Sequence, residues 1–304
     1  MNSEQLTQEV KALAKQHGAM LVGVASIDRF DPMPPYYDRA PRGQHPCDFV
    51  PDAKGVISIA QPILDQVLDA PARLADEDLE MIPPDVRRPY LELVYDITGH
   101  AIQDRMLEFI SQILGQFLQT HAHDAMIFPT TGVHPHIPGL TKQQMWEGPS
   151  KAWADRNSPF RYSSGPFSHR HAATRAGLGE FGYNNVVLTP EYGPRQRFNS
   201  IITNAELVAD PLITEPICLR DDCNRCHEVC TLGAITMRDD QKAQDYRTVE
   251  SVDSDVIFID TPAKSNAPLC MSRRERQPDL PIRGDCIRIC PIPKKRKSLP
   301  ERLR

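Results

Sequence analysis

The chain has 304 residues, 40 % of them hydrophobic and 25 % charged, with a net charge of −5. That length and balance suit one large or two smaller globular units and exclude a disordered chain or a nucleic-acid-coating surface; the basic end, PKKRKSLPERLR, reads as a solvated terminus. No run of eighteen apolar residues and no signal-like start is present, which predicts a cytoplasmic protein without a membrane partner, whose cysteines are kept reduced.

Ser3 is positioned to cap a first helix in which Leu6, Val10 and Leu13 share a face and His17 and Gly18 form the stop. AMLVGVA (19–25) and GVISIA (55–60) then read as buried strands of a parallel or mixed sheet. After an acidic, proline-broken region (65–85), a helical stripe runs from Tyr90 to Thr120. It passes through Leu91, Val94, Ala101, Ile102, Phe109, Ile110, Ile113, Leu114 and Phe117, and AMIFP (125–129) follows as a strand. Residues 130–170 carry little periodicity, and a loop of that length inside a compact protein is usually functional. Helix resumes in SHRHAATRAGLG (168–179), ended by Gly177 and Gly179. NVVLT and RFNSIIT then flank PEYGP (190–194) as a strand pair around a turn.

From residue 218 the cysteines dominate. Their spacing is Cys218-x4-Cys223-x2-Cys226-x3-Cys230, followed by Cys270 and then Cys286-x3-Cys290-Pro291. A tight loop carrying Cys-x2-Cys-x3-Cys turns its thiolates toward one cuboidal cluster, while the last cysteine starts a helix and serves a neighbouring cluster. Under such a ferredoxin-like exchange, Cys218, Cys223, Cys226 and Cys290 bind one [4Fe-4S] cluster. Cys230, Cys270 and Cys286 are left for a second that is one ligand short, with Arg283 where a further cysteine would stand. Zinc is the main alternative, but zinc ribbons use two separated Cys-x2-Cys knuckles and do not explain Cys-x3-Cys-Pro. Cys47, alone in QHPCDF, reads as an incidental loop thiol.

More than 210 residues precede the first cluster cysteine, so the chain holds more than a ferredoxin. SHRHAATRAGLGEFGYNNVVLTPEYGPRQRFNSIIT followed by a cluster module resembles the core of the epoxyqueuosine reductase and reductive dehalogenase superfamily, and PDAKGVISIAQP resembles the opening of epoxyqueuosine reductases. The resemblance implies an α/β (α+β) fold: a nitroreductase-like cobalamin-binding domain over 1–212, then a bacterial ferredoxin-like two-cluster module over 213–304. It further implies an oxidoreductase in which single electrons pass from an external ferredoxin- or flavodoxin-type donor, through one or two [4Fe-4S] clusters, to a corrinoid that reductively cleaves a small-molecule substrate.

The resemblance also nominates site residues. Gly177, Leu178, Gly179, Tyr192 and Gly193 are the candidates for the corrinoid cradle. Where epoxyqueuosine reductases carry an aspartate proton donor, this chain has YSSGP (162–166) with no acid, so Tyr162 and His169 become the candidate donors, with His171 beside them. The tRNA-contacting extension of epoxyqueuosine reductases and the export signal of dehalogenases are both expected to be missing, and nucleic acid is not expected as a partner. Two further readings stay open: an iron–sulfur accessory protein without a corrinoid, and a zinc-stabilised binding module. His134-x-His136 and His169-x-His171 are weaker candidates for a mononuclear metal site, and Trp146 and Trp153 read as loop anchors.

Overall fold

A computed structural model of the chain describes residues 1–30, 45–74, 83, 95–130, 167–219, 222–235 and 284–293. Helix α1 (Ser3–Gln16) begins at Ser3 itself, so its cap lies one residue earlier than expected. Asn2 is the cap, accepting from the Gln5 amide at 2.8 Å, while the Ser3 hydroxyl donates to the Glu206 carbonyl. The helix stops at His17, and Gly18, at φ 104°, turns the chain into strand β1 (Leu21–Ser26).

Strand β2 is Gly55–Pro62, followed by helix α2 (Asp65–Leu74). A π-helical segment (Tyr95–Ile102) leads into helix α3 (Gln103–Thr120) and the short strand β3 (Ala125–Ile127). Helix α4 (His169–Arg175) precedes strands β4 (Glu180–Phe181), β5 (Val187–Leu188) and β6 (Gln196–Thr203). Two four-residue helices, α5 (Arg225–Glu228) and α6 (Asp285–Arg288), carry cysteines.

The main sheet has the order β1-β2-β6-β3, and every pairing is antiparallel. The expected parallel or mixed pairing is thus not found. Both faces of this sheet are covered, so its strands lack the polar alternation that normally marks an antiparallel sheet and read like buried parallel strands. The expected hairpin around PEYGP is also not formed. β5 pairs with β4 in a separate two-stranded sheet, β6 joins β2, and one bridge, Thr189 to Gly193, spans the turn.

Side chains alternate across the main sheet as period two requires. On one face Val24, Ile57, Ile59 and Ile201 meet Leu6, Val10 and Ala14 of α1 and Leu107, Ile110, Leu114 and Leu118 of α3. The buried stripe of α3 is therefore rotated from the expected one, since Phe109 is 62 % exposed and Ile102 43 %. On the other face Ala25, Val56 and Ile202 meet α4 and an aromatic group of Phe30, Phe128 and Phe167.

The seat of α4 is a row of small residues. Gly23, Ser58 and Ser200 lie side by side across three strands, and a Cβ at Gly23 would overlap the Ala176 carbonyl oxygen. Ala172, Ala173 and Ala176 face this row, so the helix rests on the sheet without large side chains between them. Beyond it, Ala60, Ala173, Phe181, Tyr183, Val187 and Phe198 extend the packing to Cys218 and Cys226. The cysteine segments are thereby seated on the α/β core.

Candidate metal centre

Cys218, Cys223, Cys226 and Cys290 line one cavity, of about 350 Å3 counting its open mouth, together with Tyr183, Leu188 and Ile292. Three of the thiols come from the first cysteine run and the fourth from the far motif, brought in where α5 packs against α6. Burial, and then the charges of Cys218, Cys290 and Cys223, push the Cys226 thiol up to about 12. The Cys290 thiol is pushed up to about 11, mainly by burial, with the Ile292 amide and the Arg195 guanidinium opposing that shift. Such thiols resist shared ionisation unless a cationic group neutralises them, and a thiophilic metal centre does this by binding the thiolate form.

Among the described residues no three His, Cys, Asp or Glu lie together as a ready metal site, so the four thiols are candidate ligands by their shared cavity. Cys230 and Cys286 do not line this cavity. The Cys230 sulfur accepts from the Ala234 amide at 3.2 Å, and the Cys286 carbonyl accepts from Asn184 at 3.3 Å. Cys270 and Arg283 lie outside the described residues, as do Tyr162, His134, His136, Trp146 and Trp153. Cys47 sits in a short 3-10 turn, its amide donating to His45 Nδ1.

The glycines proposed for a corrinoid cradle serve another purpose. A Cβ at Gly177 would overlap the Pro211 carbonyl oxygen, at Gly179 that of Leu188, and at Gly193 that of Ile292. Gly177 and Gly193 also hold positive φ, 71° and 56°. On their Cβ sides all three meet protein backbone rather than an open surface for a cofactor. Leu178 packs between two core clusters, and the Tyr192 amide donates to Thr189 Oγ1 within the turn.

His169 is held as a structural group. Its Nδ1 lies 3.0 Å from Ser200 Oγ and its Nε2 3.0 Å from the Pro129 carbonyl, with Phe128 and Phe167 against the ring. Desolvation lowers its pKa to about 4, against the opposing hydrogen bond to Pro129. His171, beside Ser168 Oγ at 2.7 Å, is likewise lowered, by burial first and then by Arg175 and Arg170. A neutral imidazole whose two nitrogens are both engaged has no proton ready for a substrate, which corrects the reading of His169 as donor.

The linkage runs toward acid lability. The unfolded histidine binds a proton near pH 6.5 whereas folded His169 resists it until about pH 4, so stability falls as pH drops through that window and is unaffected above it. In urea titrations, His169→Gln is expected to flatten the loss between pH 7 and pH 4.5. An unchanged pH profile in the variant would count against the burial assigned to this ring.

Two buried charges escaped the sequence reading. Glu180 is fully buried and Arg195 is 3 % exposed. Both contact the cysteine segments: Glu180 accepts from the Ile217 and Cys218 amides, and Arg195 donates to carbonyls of 288–292. The available signal was a charged residue inside the apolar stretch LGEFG; in YGPRQRF, with its two arginines, nothing singles out Arg195.

No family model matches the chain. Over 100 residues it is 31 % identical to an epoxyqueuosine reductase of Synechocystis, covering 32 % of this chain and 34 % of that protein. Over 73 residues it is 34 % identical to a tetrachloroethene reductive dehalogenase of Desulfitobacterium hafniense, covering 23 % of this chain and 13 % of that one. These matches span about a third or less of the relatives' own length. Among solved structures, an epoxyqueuosine reductase with a modified tRNA stem loop aligns at TM-score 0.55 and 18 % identity, over 99 % of this chain and 69 % of that one. A reductive dehalogenase described in terms of B12-dependent dehalogenation aligns at TM-score 0.58 and 15 % identity, over 99 % of this chain and 33 % of that one. At such identities the likeness speaks for the fold.

The sequence matches and the fold point to the same proteins, which are named as reductases, and the chain shares their mixed α/β architecture. Over about a third of its length or less the chain is similar in sequence to epoxyqueuosine reductases and to reductive dehalogenases, and it is similar to both in fold. Since one structural neighbour was solved with a tRNA stem loop, the expectation that nucleic acid is no partner has no support from the fold. Among the described residues no helix is long and apolar enough to cross a membrane.

Proposed function

We propose that this chain is an iron–sulfur reductase whose first [4Fe-4S] cluster is held by Cys218, Cys223, Cys226 and Cys290. The observation that carries the reading is the convergence of these four thiols, from two separate motifs, on one cavity. Bound there, a cluster supplies one-electron transfer. The chain's own residues supply the rest: Tyr183, Leu188 and Ile292 wall the cavity with apolar surface that limits water, and α5 and α6 fix the ligand loops against each other. Cys230, Cys270 and Cys286 are the ligands proposed for a second cluster, and Tyr162 the proton donor.

A corrinoid is the second cofactor of this reading, because the fold is shared with a dehalogenase described as B12-dependent. The closed Cβ sides of Gly177, Gly179 and Gly193 give it no cradle there, so no step is assigned to those residues. The same observation favours a second reading, an iron–sulfur electron-transfer protein without a corrinoid. The substrate class is a small molecule or, by analogy with the tRNA-bound neighbour, a modified base within tRNA.

Anaerobic purification separates these readings. A brown protein with about four irons per chain is expected for one cluster and about eight for two, with new visible bands on adding cobalamin if the corrinoid belongs. Colourless protein containing zinc would end the iron–sulfur reading, and brown protein that leaves cobalamin unbound would select the electron-transfer one.

A further inference from the structure

Cys218 and Cys290 are the outermost members of the four-thiol set, and each is gripped through its backbone by a buried charge from the α/β unit. Arg195, at the end of the PEYGPR turn, donates to the carbonyls of Ile292 at 2.5 Å, Cys290 at 2.7 Å and Arg288 at 3.0 Å. These carbonyls lie at and just beyond the end of the single turn of α6, where a helix end leaves acceptors without intrahelical partners. The planar guanidinium meets them as a fork, and the Asp65 carboxylate stands 3.4 Å from its Nε. On the opposite side, one Glu180 oxygen accepts from the Ile217 and Cys218 amides, both at 2.6 Å. Gly193 completes the arrangement, because any Cβ there would strike the Ile292 carbonyl oxygen that Arg195 holds.

Burying a charge is costly unless it is engaged. Both are engaged by the ligand loops. A cluster in thiolates becomes more negative on reduction, so a fixed positive charge beside one ligand favours the reduced form and a fixed negative charge beside another opposes it.

We propose that Arg195 and Glu180 are positioning residues for the first cluster: they clamp the Cys290 and Cys218 loops onto the α/β unit and bias the cluster's reduction potential in opposite directions. This rests on the iron–sulfur reading above. The turn PEYGPR is, on this account, a docking platform for the last cysteine.

The test uses the full-length, cluster-loaded protein with Arg195→Gln, Arg195→Lys and Glu180→Gln, measuring iron per chain, the rate of iron loss to a chelator and the midpoint potential by EPR-monitored titration. Arg195→Gln is expected to lose iron about tenfold faster and Glu180→Gln to do likewise, in line with the usual cost of removing a group that orients a metal ligand. The potential should fall in Arg195→Gln and rise in Glu180→Gln. Arg195→Lys keeps the charge but not the fork, so its potential stays near wild type while iron loss is faster. Wild-type rates and potentials in all three variants, with the cluster present, overturn the proposal. So do shifts of the same sign in the two Gln variants, which a merely loosened loop would give. Should Arg195→Gln not fold, an unchanged iron-loss rate in Arg195→Lys overturns the clamp. Wild-type protein that carries no iron–sulfur cluster fails the earlier reading instead, before any variant is compared.

Discussion

Cys226→Ala is expected to abolish the first cluster and, with it, any reductase activity. Cys226 lines the shared cavity, and its thiol feels the charges of all three companions, Cys218, Cys290 and Cys223. Removing it leaves three ligands around a site whose fourth corner then faces water, and a cluster so exposed is lost or degraded on purification. Iron per chain should fall by about four, the content of one cluster. Cys47→Ala is the matched control, because that thiol lies in a 3-10 turn packed against the aromatic group under α4, and it should retain full iron. Cys230→Ala should leave the first cluster intact while removing whatever the second site holds. Full iron content in Cys226→Ala would show that the ligand set is drawn wrongly.

The second large effect falls on the glycines. Gly179→Ala is expected to destabilise the protein by about 3 kcal/mol, at the upper end for a single substitution. The added methyl would overlap the Leu188 carbonyl oxygen and crowd its carbon at 2.9 Å and Val187 Cγ1 at 3.1 Å. Relief is blocked because Leu188 is paired with Glu180, the residue next to the substitution. Gly177→Ala adds the strain of a φ of 71° to a clash with Pro211, and should cost at least as much. Gly233→Ala isolates the strain: its φ is 62° but no atom lies within 4 Å of the new methyl, so about 1 kcal/mol is expected. Urea midpoints of the three variants measure this. Equal, small losses at all three positions would mean that backbone crowding around β4 and β5 is not what fixes these glycines.

The elements with strong local signals were legible in the sequence. The stop at His17–Gly18 requires the positive φ that Gly18 adopts, and the apolar run at 55–60 is a strand wherever it pairs. Pairing direction was not legible, because burial on both faces erases the alternation that tells antiparallel from parallel. The face of α3 was misjudged for a related reason: Ile102 and Phe109 are as apolar as Leu107 and Leu118, and composition does not say which of them points inward.

The cysteine spacing carried most of the candidate site. Cys-x2-Cys-x3-Cys and Cys-x3-Cys-Pro imply an exchanged ligand, and the cavity gathers the four thiols that such an exchange predicts. What the spacing could not carry were the anchors. Glu180 and Arg195 act on backbone amides and carbonyls tens of residues away, and a backbone group has no letter in a sequence. The glycines misled because a requirement for empty space reads the same whether a cofactor or a carbonyl fills it.

The row of Gly23, Ser58 and Ser200 under α4 has a mechanical consequence. Large side chains between a helix and a sheet can change rotamer and absorb a push; a helix set directly on strand backbone has no such cushion. The two ends of α4, one bearing His169 and the other leading through Gly177 to Glu180, are therefore braced against the same three strands. A brace of this kind resists change in the span from the Phe167–His169 end to the Cys218 loop.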